Sequence, residues 1–157
     1  MTCPCCGYSE PKRGKPRSLD QHKRFYGLVK ASFGAWPERS EFQPENEDHL
    51  RHWIICAAGP QWRDAVTQEV PEPLRNEALA PFVHLFARSV AQATGRYPFP
   101  RLNTWTWKCT VYTARSIKFS EMPHSEFSAL SNAVDEVLRA ELGVDPDQLL
   151  KEHGRAA

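Results

Sequence analysis

Four stretches of the chain repeat apolar residues at helical spacing, and one later region alternates apolar and polar residues in twos. The first helical stretch runs from Ser18 to about Trp36. Phe25, Leu28, Val29, Ser32 and Trp36 fall on one face, and Ser18-Leu-Asp-Gln21 has the spacing of a capping box. Pro37 stops it. His22, Lys23, Arg24, Tyr26 and Lys30 lie mostly off the apolar stripe, so this helix has a basic side that carries an aromatic ring. After a polar connector with Pro37 and Pro44, a second helix is predicted at about Asn46–Ala58. Its first turn holds Glu47 and Asp48, as the helix dipole favours. Leu50, Trp53, Ile54 and Ala57 make its inner face, and Gly59-Pro60 ends it. A third helical stretch covers about Glu72–Thr94, with Leu74, Ala78, Leu79, Phe82, Val83, Phe86 and Val90 in register. Pro81 is predicted to kink or split it.

The stretch RYPFPRLN at 96–103 reads as irregular. TWTWKCTVYT then alternates, with Trp105, Trp107, Cys109 and Val111 on one face and Thr106, Lys108, Thr110 and Tyr112 on the other. β-branched and aromatic residues at period two predict a strand. ARSIKFSEM repeats the habit with Ile117 and Phe119 inward, which predicts a hairpin of these two runs. A long helix at about Pro123–Leu142 follows, with Phe127, Leu130, Val134, Val137 and Leu138 on its face and Gly143 as its cap. Asp145-Pro146-Asp147 starts a short last turn or helix. The expected fold class is α+β, with several helices packed on a small antiparallel hairpin or sheet. Residues 1–17 read as a flexible, basic, cysteine-containing arm and 18–157 as a single domain.

Length and composition agree with this organisation, because 157 residues can bury one real core. No run reaches the roughly 18 apolar residues of a membrane span, and the N-terminus has no apolar signal core. The expectation is a cytoplasmic protein with no membrane partner. The net charge of +1 conceals a pattern. Residues 1–30 carry seven basic and two acidic groups, residues 101–125 four and one, and residues 126–157 three and seven. Two basic segments and an acidic tail predict a polarised surface, unless the segments never meet in space.

Two kinds of chemistry fit the polar residues. Cys3-Pro-Cys-Cys6-Gly has the form of a zinc knuckle, in which two thiolates meet one ion. Cys3 and Cys6 with His22 are the first candidate ligands, and Cys5, His49, His52 and Cys56 are a weaker set. Zinc is the candidate cofactor; the bland alternative is an oxidisable arm and a buried cysteine. The second chemistry is nucleic-acid binding. Lys12, Arg13, Lys15, Arg17, Lys23 and Arg24 supply phosphate contacts, as do Lys108, Arg115 and Lys118 from the strand region. Tyr26, Trp107 and Tyr112 supply stacking surfaces. Trp105 and Trp107 read equally well as core, since a hairpin packed on helices must bury one face.

RSLDQHKRFYGLVKASFGAWPE, FQPENEDHLRHWIICAAG and RSIKFSEMPHSEFSALSNAVDEVL also carry a resemblance. Together they resemble, in the same order, three blocks of the YbcN-like prophage family, in the neighbourhood of the NinB-type recombination proteins. The CPCCG arm and residues 60–104 lie outside the pattern. The resemblance implies DNA base flipping and a place in phage recombination or replication, and it brings no catalytic residue. No G-x-S-x-G, phosphate loop or H-E-x-x-H occurs. The expectation is therefore a non-enzymatic, phage-derived protein that binds single-stranded or distorted DNA, compatible with homo-oligomers. The alternative is a phage interaction module that binds and inhibits a host defence or replication protein. A metal-dependent nucleic-acid enzyme is the remaining enzymatic reading.

Overall fold

The structure, a computed structural model, describes residues 19–118 and 121–156. Among them, five α-helices and a three-stranded antiparallel sheet make an α+β fold. In chain order they are α1 (Leu19–Gly34), α2 (Glu47–Ala58), β1 (Arg63–Glu69), α3 (Leu79–Thr94), β2 (Phe99–Asn103), β3 (Lys108–Ala114), α4 (His124–Leu142) and α5 (Pro146–Ala156). None of these helices is long and apolar enough to cross a membrane.

The apolar stripe of α1 is buried as its spacing predicts, at Phe25, Leu28, Val29 and Ser32, with Ala31 beside them. The helix stops before Trp36, because the ring of Pro37 excludes the helical region for the residue ahead of it. The capping box at Ser18 lies outside the described residues. Asn46 caps α2 by accepting the N–H of His49 at 2.8 Å. α2 buries Leu50, Ile54, Ile55 and Cys56, whereas Ala57 is exposed and Trp53 half-buried. Its inner face is turned from the expected one because α2 packs against both α4 and β3. Phe127, Leu130, Val134 and Leu138 of α4 are fully buried against Leu50, Ile54 and Leu28 in the main core. Each such burial is worth about 1.5–3 kcal/mol. Gly143 ends α4 at φ 69° and returns its N–H to Arg139 O. Asp145 then caps α5, accepting the N–H of Asp147 at 2.9 Å. α5, of 11 residues, is the helix among the two outcomes expected after Asp145-Pro146.

The strand order is β1-β3-β2. β3 is central and alternates, with Cys109, Val111 and Thr113 buried on one face and Thr110 and Tyr112 half-buried on the other. α3 covers the first face, where Ala87 and Val90 pack on Val111. α2 and the main core cover the second.

The sheet departs from the expected hairpin in four ways. RYPFPRLN is not irregular: β2 runs through it, pairing Phe99 with Tyr112 and Asn103 with Lys108. Pro100 is tolerated because β2 is an edge strand, where a missing N–H need not break a ladder. The alternation at TWTW is a turn and not a strand. Asn103 Oδ1 accepts the N–H groups of Trp105 and Thr106 at 2.9 and 3.2 Å, and Trp107 takes φ 52° to close the reversal. Residues 115–118 leave the sheet; Ile117 still turns inward to the main core, and Phe119 lies outside the described residues. The third partner, β1, has no counterpart in the sequence reading because RDAVTQE holds no apolar alternation and is exposed along its length. The third helical stretch is also divided: Glu72–Leu74 is a single 3-10 turn, and α3 begins at Leu79. Pro81 therefore sits in the first turn, where its absent N–H has no intrahelical partner to lose, and α3 runs uninterrupted to Thr94.

Candidate nucleic-acid interface

Four separate segments meet at a cleft of about 510 Å³. α1 brings His22 and Tyr26, and α2 brings Arg51 and His52. The end of α3 brings Arg96, placed by the left-handed cap at Gly95 (φ 67°). The chain leaving β3 brings Arg115, Ser116 and Lys118. Four cations thus line one concave surface together with a phenol and a hydroxyl.

Carboxylates hold these cations from behind, and none among the described residues lines the cleft. Asp64 accepts from Arg96 Nη1 and from Arg115 Nε, both at 3.1 Å. Arg115 Nη1 also donates to Gln61 O at 3.0 Å. Arg51 Nε donates to Asp48 Oδ1 at 3.0 Å, and its guanidinium carbon lies 5.8 Å from the Tyr26 ring centroid. Lys118 Nζ stands 3.9 Å from Glu121. His52 Nδ1 lies 2.8 Å from the backbone oxygen of Asp48, which can only accept, so Nδ1 carries the proton and Nε2 is the acceptor of the neutral ring. Burial pushes His52 below the usual histidine range, and Arg51 and Arg96 push it further, against the Asp48 contacts. Guanidinium groups spaced by a shared carboxylate are oriented in advance, and their remaining N–H forks suit phosphate oxygens.

Tyr26, Arg115, Lys118 and His22 from the sequence reading are brought together here. Tyr26 is 42% exposed beside the cations, with the His22 ring 4.9 Å from its own at a 47° tilt. Other expected contacts lie elsewhere. Arg24 is committed to ion pairs with Asp135 and Asp147. Lys23 is exposed on α1. Lys108 begins β3 opposite Glu69 and Asn103, so about 20 Å of strand separates it from Arg115. The Trp107 ring is occupied by Arg75 at 5.2 Å, and Tyr112 is half-buried under Arg63 at 4.1 Å. Tyr112 therefore offers no open stacking face. Trp105 is 96% exposed at the tip of the turn and is not core. Lys12, Arg13, Lys15 and Arg17 lie outside the described residues, as do Cys3, Cys5 and Cys6.

Of the second candidate metal set, Cys5 lies outside the described residues and His52 lines the cleft. Cys56 is buried in the main core, and burial pushes its thiol up to about 12. His49 stacks between Tyr97 and Phe99 at 4.8 and 5.5 Å, and its Nδ1 accepts the N–H of Glu45. Among the described residues no group of three or more His, Cys, Asp or Glu side chains could hold a metal ion. Arg51 and Arg96 were not among the expected site residues. Neither stands in a basic run, and only the packing of α2 beside the end of α3 makes them neighbours. Comparison with known proteins adds no relative: no family model, no curated protein and no solved structure matches this chain.

Proposed function

We propose that this chain is a non-enzymatic, phage-derived DNA-binding protein that takes single-stranded or distorted DNA in recombination or replication. The resemblance to the YbcN-like prophage family suggests this setting. The observation that carries the reading is the cleft in which Arg51, Arg96, Arg115 and Lys118 converge beside Tyr26, with no carboxylate among the described residues that line it. Backbone phosphates exchange with the rear carboxylates for the guanidinium donors, and a base stacks on Tyr26. Single-stranded DNA fits better than duplex, because a stacking ring beside the phosphate contacts needs an unpaired base.

Fluorescence anisotropy with a single-stranded oligonucleotide across a salt series tests this. Arg51→Ala and Arg115→Ala are each expected to weaken binding roughly tenfold, the worth of one charge-assisted hydrogen bond. Each is also expected to lower the salt slope by about 0.7 for every phosphate that it leaves without its cation. Absence of binding at low salt, or equal slopes in both variants and the parent, refutes the cleft as the DNA site.

A further inference from the structure

A second cavity, of about 550 Å³, opens beside β2 on the face of the sheet that carries α2. Its apolar wall is aromatic: Phe42 and Trp53 lie parallel, 4.8 Å apart at 4°, with Phe99 edge-on to Phe42 at 5.9 Å. The wall is set in advance, since Trp36 Nε1 donates to Phe42 O at 2.8 Å and packs edge-on against Trp53. Arg101 stands two residues from Phe99 on the same face of β2, and Arg39 faces it from the connector between α1 and α2.

Six arginines among the described residues are ion-paired, unlike these two. Arg24, Arg51, Arg75, Arg96, Arg115 and Arg139 all hold carboxylates. Arg39 and Arg101 make no ion pair or hydrogen bond among the described residues, although Glu41 and Glu141 line the same cavity. Glu141 instead accepts from Ser40 Oγ at 3.1 Å. Guanidinium donors and carboxylates thus converge beside a half-buried aromatic wall without pairing with one another. The volume lies within the 300–1,000 Å³ or so of small-molecule sites.

We infer that this cavity binds a planar nitrogen heterocycle that carries an anionic group, the chemistry of a nucleotide. The ring lies against the Phe42–Trp53 wall, Arg39 and Arg101 take the phosphate, and Glu41 or Glu141 accepts from an exocyclic amino group. The ligand has two sources, a free mononucleotide or one unit of a DNA strand. A row of ring contacts joins this cavity to the basic cleft: Tyr97 touches His52 at 5.1 Å and His49 at 4.8 Å, and His49 reaches Phe42 at 5.0 Å. The free-nucleotide arm stands without the proposed DNA-binding role, and the strand arm rests on it.

The test titrates the full chain with dCMP and dAMP by calorimetry, and with a single-stranded oligonucleotide by anisotropy. Arg39→Ala, Arg101→Ala and, as a control for the cleft, Arg115→Ala are compared, with circular dichroism confirming the fold of each. Saturable nucleotide binding that falls about tenfold in each of the first two variants and is unchanged in Arg115→Ala establishes the free-nucleotide site. Oligonucleotide binding that falls about tenfold in all three, without mononucleotide binding, establishes the cavity as a strand site. Oligonucleotide binding that falls about tenfold only in Arg115→Ala overturns the inference and leaves the DNA-binding cleft standing. Nucleotide binding without oligonucleotide binding does the reverse. If Arg39→Ala and Arg101→Ala change neither ligand, the inference is refuted.

Discussion

Arg24→Ala removes the guanidinium that ties α1 to both C-terminal helices, and its cost follows from the geometry. Nη1 and Nη2 donate to the two oxygens of Asp135 at 3.3 and 3.0 Å, a forked pair. Nε and Nη2 donate to Asp147 Oδ1 at 3.3 and 2.9 Å. Side-chain exposure is 34% for Arg24, 17% for Asp135 and 66% for Asp147. The Asp147 contact is solvent-screened and worth a few tenths of a kcal/mol. The Asp135 fork is more sheltered, and deleting Arg24 leaves that carboxylate without its cation, so about 1.5 kcal/mol is assigned to it. Arg24→Ala is expected to cost about 2 kcal/mol, and a chain of this size loses about 2–4 °C in Tm per kcal/mol. Arg24→Lys keeps the charge but not the fork and is expected to lose about half as much. Urea unfolding of Arg24→Ala, Asp135→Asn and the double variant should give a coupling of about 1 kcal/mol. The same Arg24→Ala protein should keep the parent's salt slope for DNA. A stability loss under about 0.5 kcal/mol, combined with a slope reduced by about 0.7, would refute the structural assignment and return Arg24 to the DNA contacts.

Ser32 is fully buried on α1, and its hydroxyl has no hydrogen-bond partner among the described residues. Ser32→Ala removes an unsatisfied buried group and adds helix propensity, so it is expected to stabilise by about 1 kcal/mol, read as a higher Tm; a lower Tm contradicts this. His49 and His52 both lie below their usual value of 6.5, chiefly through burial. The unfolded chain therefore binds the proton first, so stability is complete above about pH 6.5 and falls as pH drops through the window between the two states' values. His49→Phe should flatten that decline in a melting series, and an unchanged decline refutes it. A phosphate in the cleft favours the charged ring of His52, so DNA binding is expected to take up a proton. Affinity then rises below about pH 6.5 in the parent and stays flat in His52→Gln.

Much of the helical layer is legible in the sequence because its signals are local. The stripe Phe25, Leu28, Val29, Ser32, the acidic first turn of α2, the αL glycine after Leu142 and the Asp-Pro start of α5 each work within a turn or two of chain. The parity of β3 is equally plain, since Cys109, Val111 and Thr113 must share a face once a strand exists. The sheet's partners are not legible. β1 has one exposed valine and no alternation, and β2 carries a proline that is tolerable only at an edge. TWTW alternates like a strand, but the side chain of Asn103 captures its backbone N–H groups and turns it.

The site divides in the same way. Residue type and charge, read along the chain, singled out Tyr26, Arg115 and Lys118 but could not join α1 to the end of β3. That needs α2 and α3 to close between them and deliver Arg51, His52 and Arg96. Sequence by itself determined the helices and the presence of unspent basic and aromatic side chains, because propensity, capping and periodicity act over a few residues. Tertiary structure decided which cations are spent on the fold, as Arg24 is, and which face a cavity, as Arg39 and Arg101 do. Ion pairing across more than a hundred residues depends on where distant carboxylates land, and no local pattern encodes that.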